Sequence, residues 1–176
     1  MERWVGRVAL VTGASAGIGN AITRALVEKG MRVVATLVTE LQHCKGEIYV
    51  LQCDVTEEAD VVRVVKWTRE NLGGTDVLVN NAGIYFRDKL TSIDTGRMKK
   101  LFNVNVFGLC LFTREVVKDM RERGVDDGHI FHLNSDSGQS ISSNTEGLLY
   151  GSTKHAVTVL TEGLRRELRD LKTKIK

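Results

Sequence analysis

Between residues 7 and 171, short continuous apolar runs alternate with stretches whose apolar positions recur every three or four residues. "RVALVTG" (7–13) is an apolar run closed by glycine, the pattern of a buried strand. "GIGNAITRALVEKG" follows with Ile18, Ile22, Ala25, Leu26 and Lys29 at helical spacing and Gly30 as its C-cap. "RVVATL" (32–37) and "IYVLQCD" (48–54) predict a second and a third strand. "VTEEADVVRVVKWTRENLGG" predicts a helix capped by Thr56, with acids in the first turn where the helix dipole favours them. "DVLVNNAG" (76–83) reads as a fourth strand running into a turn, then a long helix over about 95–123, then a fifth strand in "HIFHLNS" (129–135). The last helix begins near Tyr150 and carries Ala156, Leu160, Leu164, Leu168 and Leu171 on one stripe. This alternation predicts an α/β fold, a doubly wound parallel sheet with helices on both faces and ligands beyond the carboxyl ends of the strands. With no repeat, low-complexity segment or linker, residues 1–176 read as one domain.

Composition narrows the function by exclusion. The net charge of +3 is spread along the chain without a basic block and aromatics are 6%, which argues against a nucleic-acid partner. The longest apolar run, "VNVFGLCLF", is too short to span a membrane. The start, "MERWVGRVALVTG", has no long apolar stretch, so the expected location is cytoplasmic. Cys44, Cys53 and Cys110 lack metal-type spacing and read as buried reduced thiols. The four histidines form no ligand set: His129 and His132 point to opposite faces of one strand, and His155 turns away from the face of Lys154. No metal is expected. The chain has no proline, although average usage predicts about nine.

Chemistry enters where the strands end. In "TGASAGIG" (12–19), Gly13 permits a tight turn after the first strand, while Gly17 and Gly19 let backbone amides approach a pyrophosphate at a helix N-terminus. Ser15 and Ile18 lie in the same candidate cradle. In "YGSTK", Tyr150 and Lys154 are four apart and share one helix face. A phenol with a pKa near 10 is a poor base at neutral pH, and a nearby ammonium stabilises its phenolate. Such a pair suits the proton movement that accompanies hydride transfer between a carbinol carbon and a nicotinamide.

"TGASAGIG", "CDV" (53–55), "NNAG" (80–83), "NVFG" (105–108), a serine after the fifth strand and "YGSTK" (150–154) resemble, in order and spacing, the motifs of the short-chain dehydrogenase/reductase family. The resemblance runs from residue 5 to the end. Within that family, "MERWVGRVALVTGAS" and "DDGHI…LNSDSG" look most like arthropod farnesol dehydrogenases and dehydrogenase/reductase family member 11 proteins. The resemblance implies that Asp54 and Val55 contact an adenine ring, and that Asn81, Ala82 and Gly83 lie along the ribose and nicotinamide side. It implies a substrate-anchoring serine at Ser135, three before Gly138; Ser137, one before that glycine and thirteen before Tyr150, is the competing choice. Asn105 matches the family's helical asparagine, which helps to hold a water linking the lysine to solvent; Asn103 stands two residues earlier without the following glycine pattern.

Two departures from the family pattern are visible. The stretch between the second and third strands is about a dozen residues short, and Thr36, Leu37 and Val38 occupy the zone that recognises the adenosine ribose. They offer neither the acid that favours NAD(H) nor the basic residues that receive the extra phosphate of NADP(H). The missing acid leans to NADP(H), with NAD(H) as the alternative. After the Tyr150 helix, the family's sixth and seventh strands and proline-glycine turn are absent, so the chain reads as truncated at its C-terminus and the fifth strand is expected to carry an unpaired edge. The function expected from the resemblance is NADP(H)-dependent oxidation of a hydrophobic alcohol or reduction of a carbonyl, farnesol being one such substrate, in a homodimer or homotetramer. The alternatives are an inactive family member that keeps nucleotide binding or dimerisation, and an isomerase or epimerase on the same scaffold.

Overall fold

A computed structural model describes residues 2–37 and 47–176. Five strands form one parallel sheet: β1 (Val8–Thr12), β2 (Arg32–Leu37), β3 (Ile48–Gln52), β4 (Val77–Asn80) and β5 (His129–His132), in the order β3-β2-β1-β4-β5. β1 lies at the centre and all five of its residues are buried, which is why "VALVT" reads as a continuous apolar run instead of an alternating one. Strand order reverses between β1 and β4, so the crevice at their carboxyl ends is the switch point where such sheets hold ligands.

Alternate strand residues feed two cores. Ala9, Val11, Val33, Ala35, Val77 and Val79 pack beneath α1 (Gly17–Glu28), through Val27 and the neighbouring Met31. Val8, Leu10, Val34 and Leu78 face α2 (Glu58–Leu72), α4 (Leu109–Glu122) and α5 (Leu148–Asp170), meeting Val61, Val64, Phe112, Val116 and Leu168. The long helix expected over 95–123 runs as α3 (Thr95–Phe102), a π-helical turn over Asn103–Gly108, and α4.

Several local expectations change. Thr56 does not cap α2; the N-cap position is Glu57, and Thr56 instead gives its backbone and hydroxyl protons to Asp54 Oδ1 (2.9 and 2.8 Å). α1 is rotated from its expected face: Gly19, Thr23 and Val27 are buried while Ile18, Ala25 and Lys29 are exposed, because Gly19 must lie flat against the β1 turn. Of the expected stripe on α5 only Leu168 is buried, and Leu171 is exposed; Thr153, Lys154 and Val157 also face inward. The edge of β5 is partly met by the chain itself. Ile130 N–H donates to the Lys176 carbonyl (2.6 Å) and Lys176 N–H to the Gly128 carbonyl (3.1 Å), which places Lys176 beside His129 as in a parallel ladder.

Cys53 is buried and Cys110 half-buried, both free thiols; Cys44 lies outside the described residues, as does Val38. His129 stacks on Phe131 while His132 points to the other face, as their strand spacing requires. Among the described residues no group of histidines, cysteines and carboxylates has metal-binding geometry, and no helix is long and apolar enough to cross a membrane.

Candidate active site

The site is assembled from the ends of β1, β4 and β5, the π-helical turn and the first turns of α5. At β1, Gly13 turns the chain at φ +63°, a region open to glycine. A Cβ there would press on Ala82 Cα at 2.8 Å, and one on Gly19 would overlap Asn81 Nδ2 and the Gly13 carbonyl. The cradle is therefore built by direct contact between "TGASAGIG" and "NNAG". Asn81 Nδ2 donates to the Thr12 and Gly13 carbonyls (both 2.9 Å), and the Asn81 and Ala82 amides both donate to Thr12 Oγ1 (3.0 Å each). Thr12 is a residue that sequence reasoning missed; its signal was a threonine, instead of another apolar residue, at the end of a fully buried strand. The α1 N-cap is Ala16, which makes no side-chain capping bond, so the first amides of the helix face the cradle without an internal acceptor. Ser15, Gly17 and Ile18 are exposed on its rim.

On the adenosine side Asp54 is exposed after β3, its amide held by Asp60 Oδ2 (2.8 Å). Val55 packs on Gly108: a Cβ on that buried glycine would meet the Val55 carbonyl at 2.9 Å. This explains the glycine of "NVFG", which lets the π-helical turn approach the loop after β3. At the end of β2, Thr36 is buried and its carbonyl accepts from the Ala14 amide (3.2 Å).

Asn105 is 2% exposed and clamps the segment after "NNAG". Its Oδ1 accepts from Ile84 N–H (2.8 Å), and its Nδ2 donates to the Ile84 carbonyl (2.9 Å) and to Thr153 Oγ1 (3.1 Å). Thr153 in turn donates to the Tyr150 carbonyl (2.7 Å), so the asparagine connects Gly83–Ile84 to the first turn of α5. Asn103 is exposed and has no such role.

Tyr150 and Lys154 lie one turn apart on α5, the lysine nitrogen 5.8 Å from the centre of the tyrosine ring. Lys154 is buried, and its ammonium donates to the Leu133 carbonyl (2.8 Å). Burial lowers its pKa by disfavouring the charged form. Tyr85, which sequence reasoning also missed, packs edge-on against Tyr150 with ring centres 5.0 Å apart. Ser135 follows β5 and accepts from Ser137 N–H (3.2 Å), while its hydroxyl donates to Asp136 Oδ1 (2.8 Å). The Ser137 hydroxyl also reaches Asp136 Oδ1, at 3.4 Å. The loop carrying both serines abuts α5 beside Tyr150, with the Ser137 carbonyl 3.5 Å from where a Cβ on Gly151 would stand.

A parallel sheet with a glycine cradle at its switch point, and a tyrosine and lysine on the adjoining helix, has the frame of a nucleotide-dependent oxidoreductase. The family model described as short chain dehydrogenase matches residues 7–176, and the chain belongs to that family. It is 44% identical over 187 residues to dehydrogenase/reductase SDR family member 11 of Bos taurus, covering all of this chain and 73% of the relative. It is 41% identical over 187 residues to farnesol dehydrogenase of Aedes aegypti, covering 76% of that protein. The aligned stretch of 187 positions exceeds the 176 residues here, so these relatives contain positions without a counterpart in this chain. Among solved structures, ligand-free aldohexose dehydrogenase of Thermoplasma acidophilum superposes with a TM-score of 0.84 at 30% identity, over 92% of this chain and 61% of that one. A short-chain dehydrogenase/reductase from Serratia marcescens superposes with a TM-score of 0.83 at 28% identity, over 94% and 74%.

Proposed function

We propose that the chain binds NADP(H) in the cradle of Gly13, Ser15, Gly17, Ile18 and Gly19, with NAD(H) as the weaker ligand, and oxidises a hydrophobic alcohol or reduces the matching carbonyl. The observation that carries this reading is the pairing of Tyr150 with a buried lysine whose ammonium stands 5.8 Å from the phenol ring, across from an uncapped helix N-terminus. The cradle fits the cofactor: its glycines leave a backbone floor that a Cβ would fill, and the free α1 amides face outward to receive a pyrophosphate. Asp54 and Val55 would border the adenine, and Asn81, Ala82 and Gly83 the ribose and nicotinamide. The absence of an acid at Thr36 and Leu37 supports NADP(H) over NAD(H).

When bound, the nicotinamide supplies the hydride donor or acceptor. Tyr150 takes the alcohol proton during oxidation and returns it during reduction. Lys154 places a positive charge beside that ring and reaches toward a ribose hydroxyl. Ser135 swings its hydroxyl from Asp136 to the substrate oxygen. Asn105 holds Ile84 and the start of α5 at a fixed separation, so that the two sides of the site stay aligned. Farnesol, an apolar primary alcohol, is the substrate to try first, since a farnesol dehydrogenase is among the relatives.

We also propose self-association through α4 and α5, where Phe107 and Val159 are exposed beside a groove lined by Leu109, Val117, Leu160 and Leu164. Light scattering on the eluted protein tests this: a monomer mass at micromolar concentration rejects it. For the main reading, NADPH and NADH are titrated against the chain by nicotinamide fluorescence, with Gly13→Asp as control. Saturable NADPH binding lost in the variant supports the proposal. A folded chain that binds neither cofactor refutes it and leaves a family member without nucleotide binding.

A further inference from the structure

The inner face of α5 is stitched to the end of β5 by three polar side chains. Lys154 Nζ donates to the Leu133 carbonyl (2.8 Å), Thr158 Oγ1 accepts from Asn134 Nδ2 (2.8 Å), and Thr161 Oγ1 lies 2.9 Å from His132 Nδ1. Positions 154, 158 and 161 are i, i+4 and i+7, one face of the helix. Their partners are three consecutive residues, so a slide of α5 along its axis would break all three contacts together. The His132 ring also crosses to the neighbouring helix, with Nε2 3.1 Å from Thr113 Oγ1 on α4. Thr113 is eight residues beyond Asn105 on the same continuous helical segment.

Counting protons around the ring restricts its state. The Thr113 hydroxyl donates to the Leu109 carbonyl and that of Thr161 to the Val157 carbonyl, both at 2.7 Å. Both oxygens then offer the ring lone pairs only, an arrangement suited to an imidazolium with two N–H donors. The surroundings oppose that charge. Groove residues Arg114, Lys118 and Arg121 of α4 outnumber Glu122, and Cys110 beside them is an uncharged thiol whose pKa burial raises. From α5, Glu162, Arg165 and Glu167 balance to one negative charge, and Lys176 of the chain end adds a positive one. Burial pulls the His132 pKa down to about 4. A neutral ring has one N–H, so one threonine must turn its proton toward it. Thr113 is already filled, since Asn80 Nδ2 donates into the same oxygen (2.9 Å), whereas Thr161 holds only its carbonyl bond.

We infer that His132 is a positioning residue for Tyr150 and Lys154: as a neutral ring protonated on Nε2, it donates to Thr113, accepts the Thr161 hydroxyl proton, and so fixes the register of α5 against β5 and α4. The importance of that register for proton transfer rests on the function proposed above; the tautomer and the register do not.

The test is long-range proton–nitrogen NMR of the imidazoles in the full chain between pH 5.5 and 8, a range set by the ordinary histidine pKa of about 6.5. The expected result is a His132 ring that stays neutral and Nε2-protonated. Thr113→Val should reverse the tautomer to Nδ1–H, and Thr161→Val should leave it on Nε2. The positioning role is read at Lys154, through the pH titration of its side-chain methylene carbon next to the ammonium. Loosened α5 admits water, so the titration should move up toward that of a free lysine in Thr161→Val and His132→Leu. His132→Asn, whose amide reaches the place of Nδ1, should restore it. An Nδ1–H ring in the parent chain, a tautomer indifferent to Thr113→Val, or a Lys154 titration unchanged in Thr161→Val overturns the inference. Thr161→Val is a near-isosteric change at an exposed residue, so the test survives a failure of His132→Leu to fold. None of these readouts needs NADPH, so failed cofactor binding would count against the proposed function alone.

Discussion

Replacing Asn105 with alanine tests whether the site is held by the scaffold or merely located on it. The side chain is 2% exposed and makes three hydrogen bonds, two of them to the backbone of Ile84. Alanine leaves the Ile84 N–H and C=O without partners in a half-buried setting, and removes the donor that reaches Thr153. Each net bond contributes about 1 kcal/mol, and an abandoned buried partner costs about 1–3 kcal/mol. Partial rehydration of Ile84 offsets some of this, so a loss of about 2–4 kcal/mol is expected. Asn105→Asp should be no milder. A carboxylate keeps the bond from Ile84 N–H but faces the Ile84 carbonyl, and Thr153 cannot donate to it while its proton is held by the Tyr150 carbonyl. Urea denaturation measures the loss, and hydrogen exchange at the Ile84 amide locates it. A loss below about 1 kcal/mol, with exchange at Ile84 unchanged, would refute the clamp.

Three further outcomes are expected. An unfolded histidine titrates near 6.5 and His132 in the fold at about 4, so lowering the pH through that window protonates the unfolded chain first and stability falls; the shift corresponds to at most about 3 kcal/mol, and His132→Asn should flatten the pH dependence of urea midpoints there. Burial pushes the Cys53 thiol up to about 12, so iodoacetamide at pH 8 should spare it in the native chain and label it in urea, as peptide mass mapping will show; rapid native labelling would contradict the burial. Gly19→Ala places a methyl against Asn81 Nδ2 and the Gly13 carbonyl, so it should cost about 1–3 kcal/mol and abolish NADPH binding, whereas Gly163→Ala, with open space around it, should change neither fluorescence titration nor midpoint measurably.

The strands and their parallel order were legible because β1, β2 and β4 are buried runs whose periodicity admits little else. The helix faces were less so. Ile18 and Ala25 look like core residues by spacing, yet α1 turns Gly19 and Thr23 inward, because contact with the β1 turn outweighs the burial of one isoleucine. On α5 the expected leucine stripe lost to Lys154 and Thr153, polar residues whose burial depends on partners at Leu133 and Asn105, far away in sequence. The glycines, the Tyr150–Lys154 pair and Asn105 were visible as motifs. The roles of Thr12 and Gly108 were not, since each consists of a contact with a distant loop. The ribose-recognising stretch at Val38 lies outside the described residues.

The π-helical turn at Asn103–Gly108 has a consequence for how this gene can change. Such a turn holds one residue more than an α-helical path between the same ends. Deleting any one residue from it would regularise the hydrogen bonding locally and look harmless, yet it would turn everything upstream by about 100° relative to α4. Leu101 could then no longer face inward while Phe112 does, and both are now almost wholly buried. A surface loop absorbs lost or gained codons; this stretch of helix counts them. The reading frame of the apolar pattern, offset by one across residues 103–108, should therefore resist insertion and deletion as strictly as the glycines resist substitution.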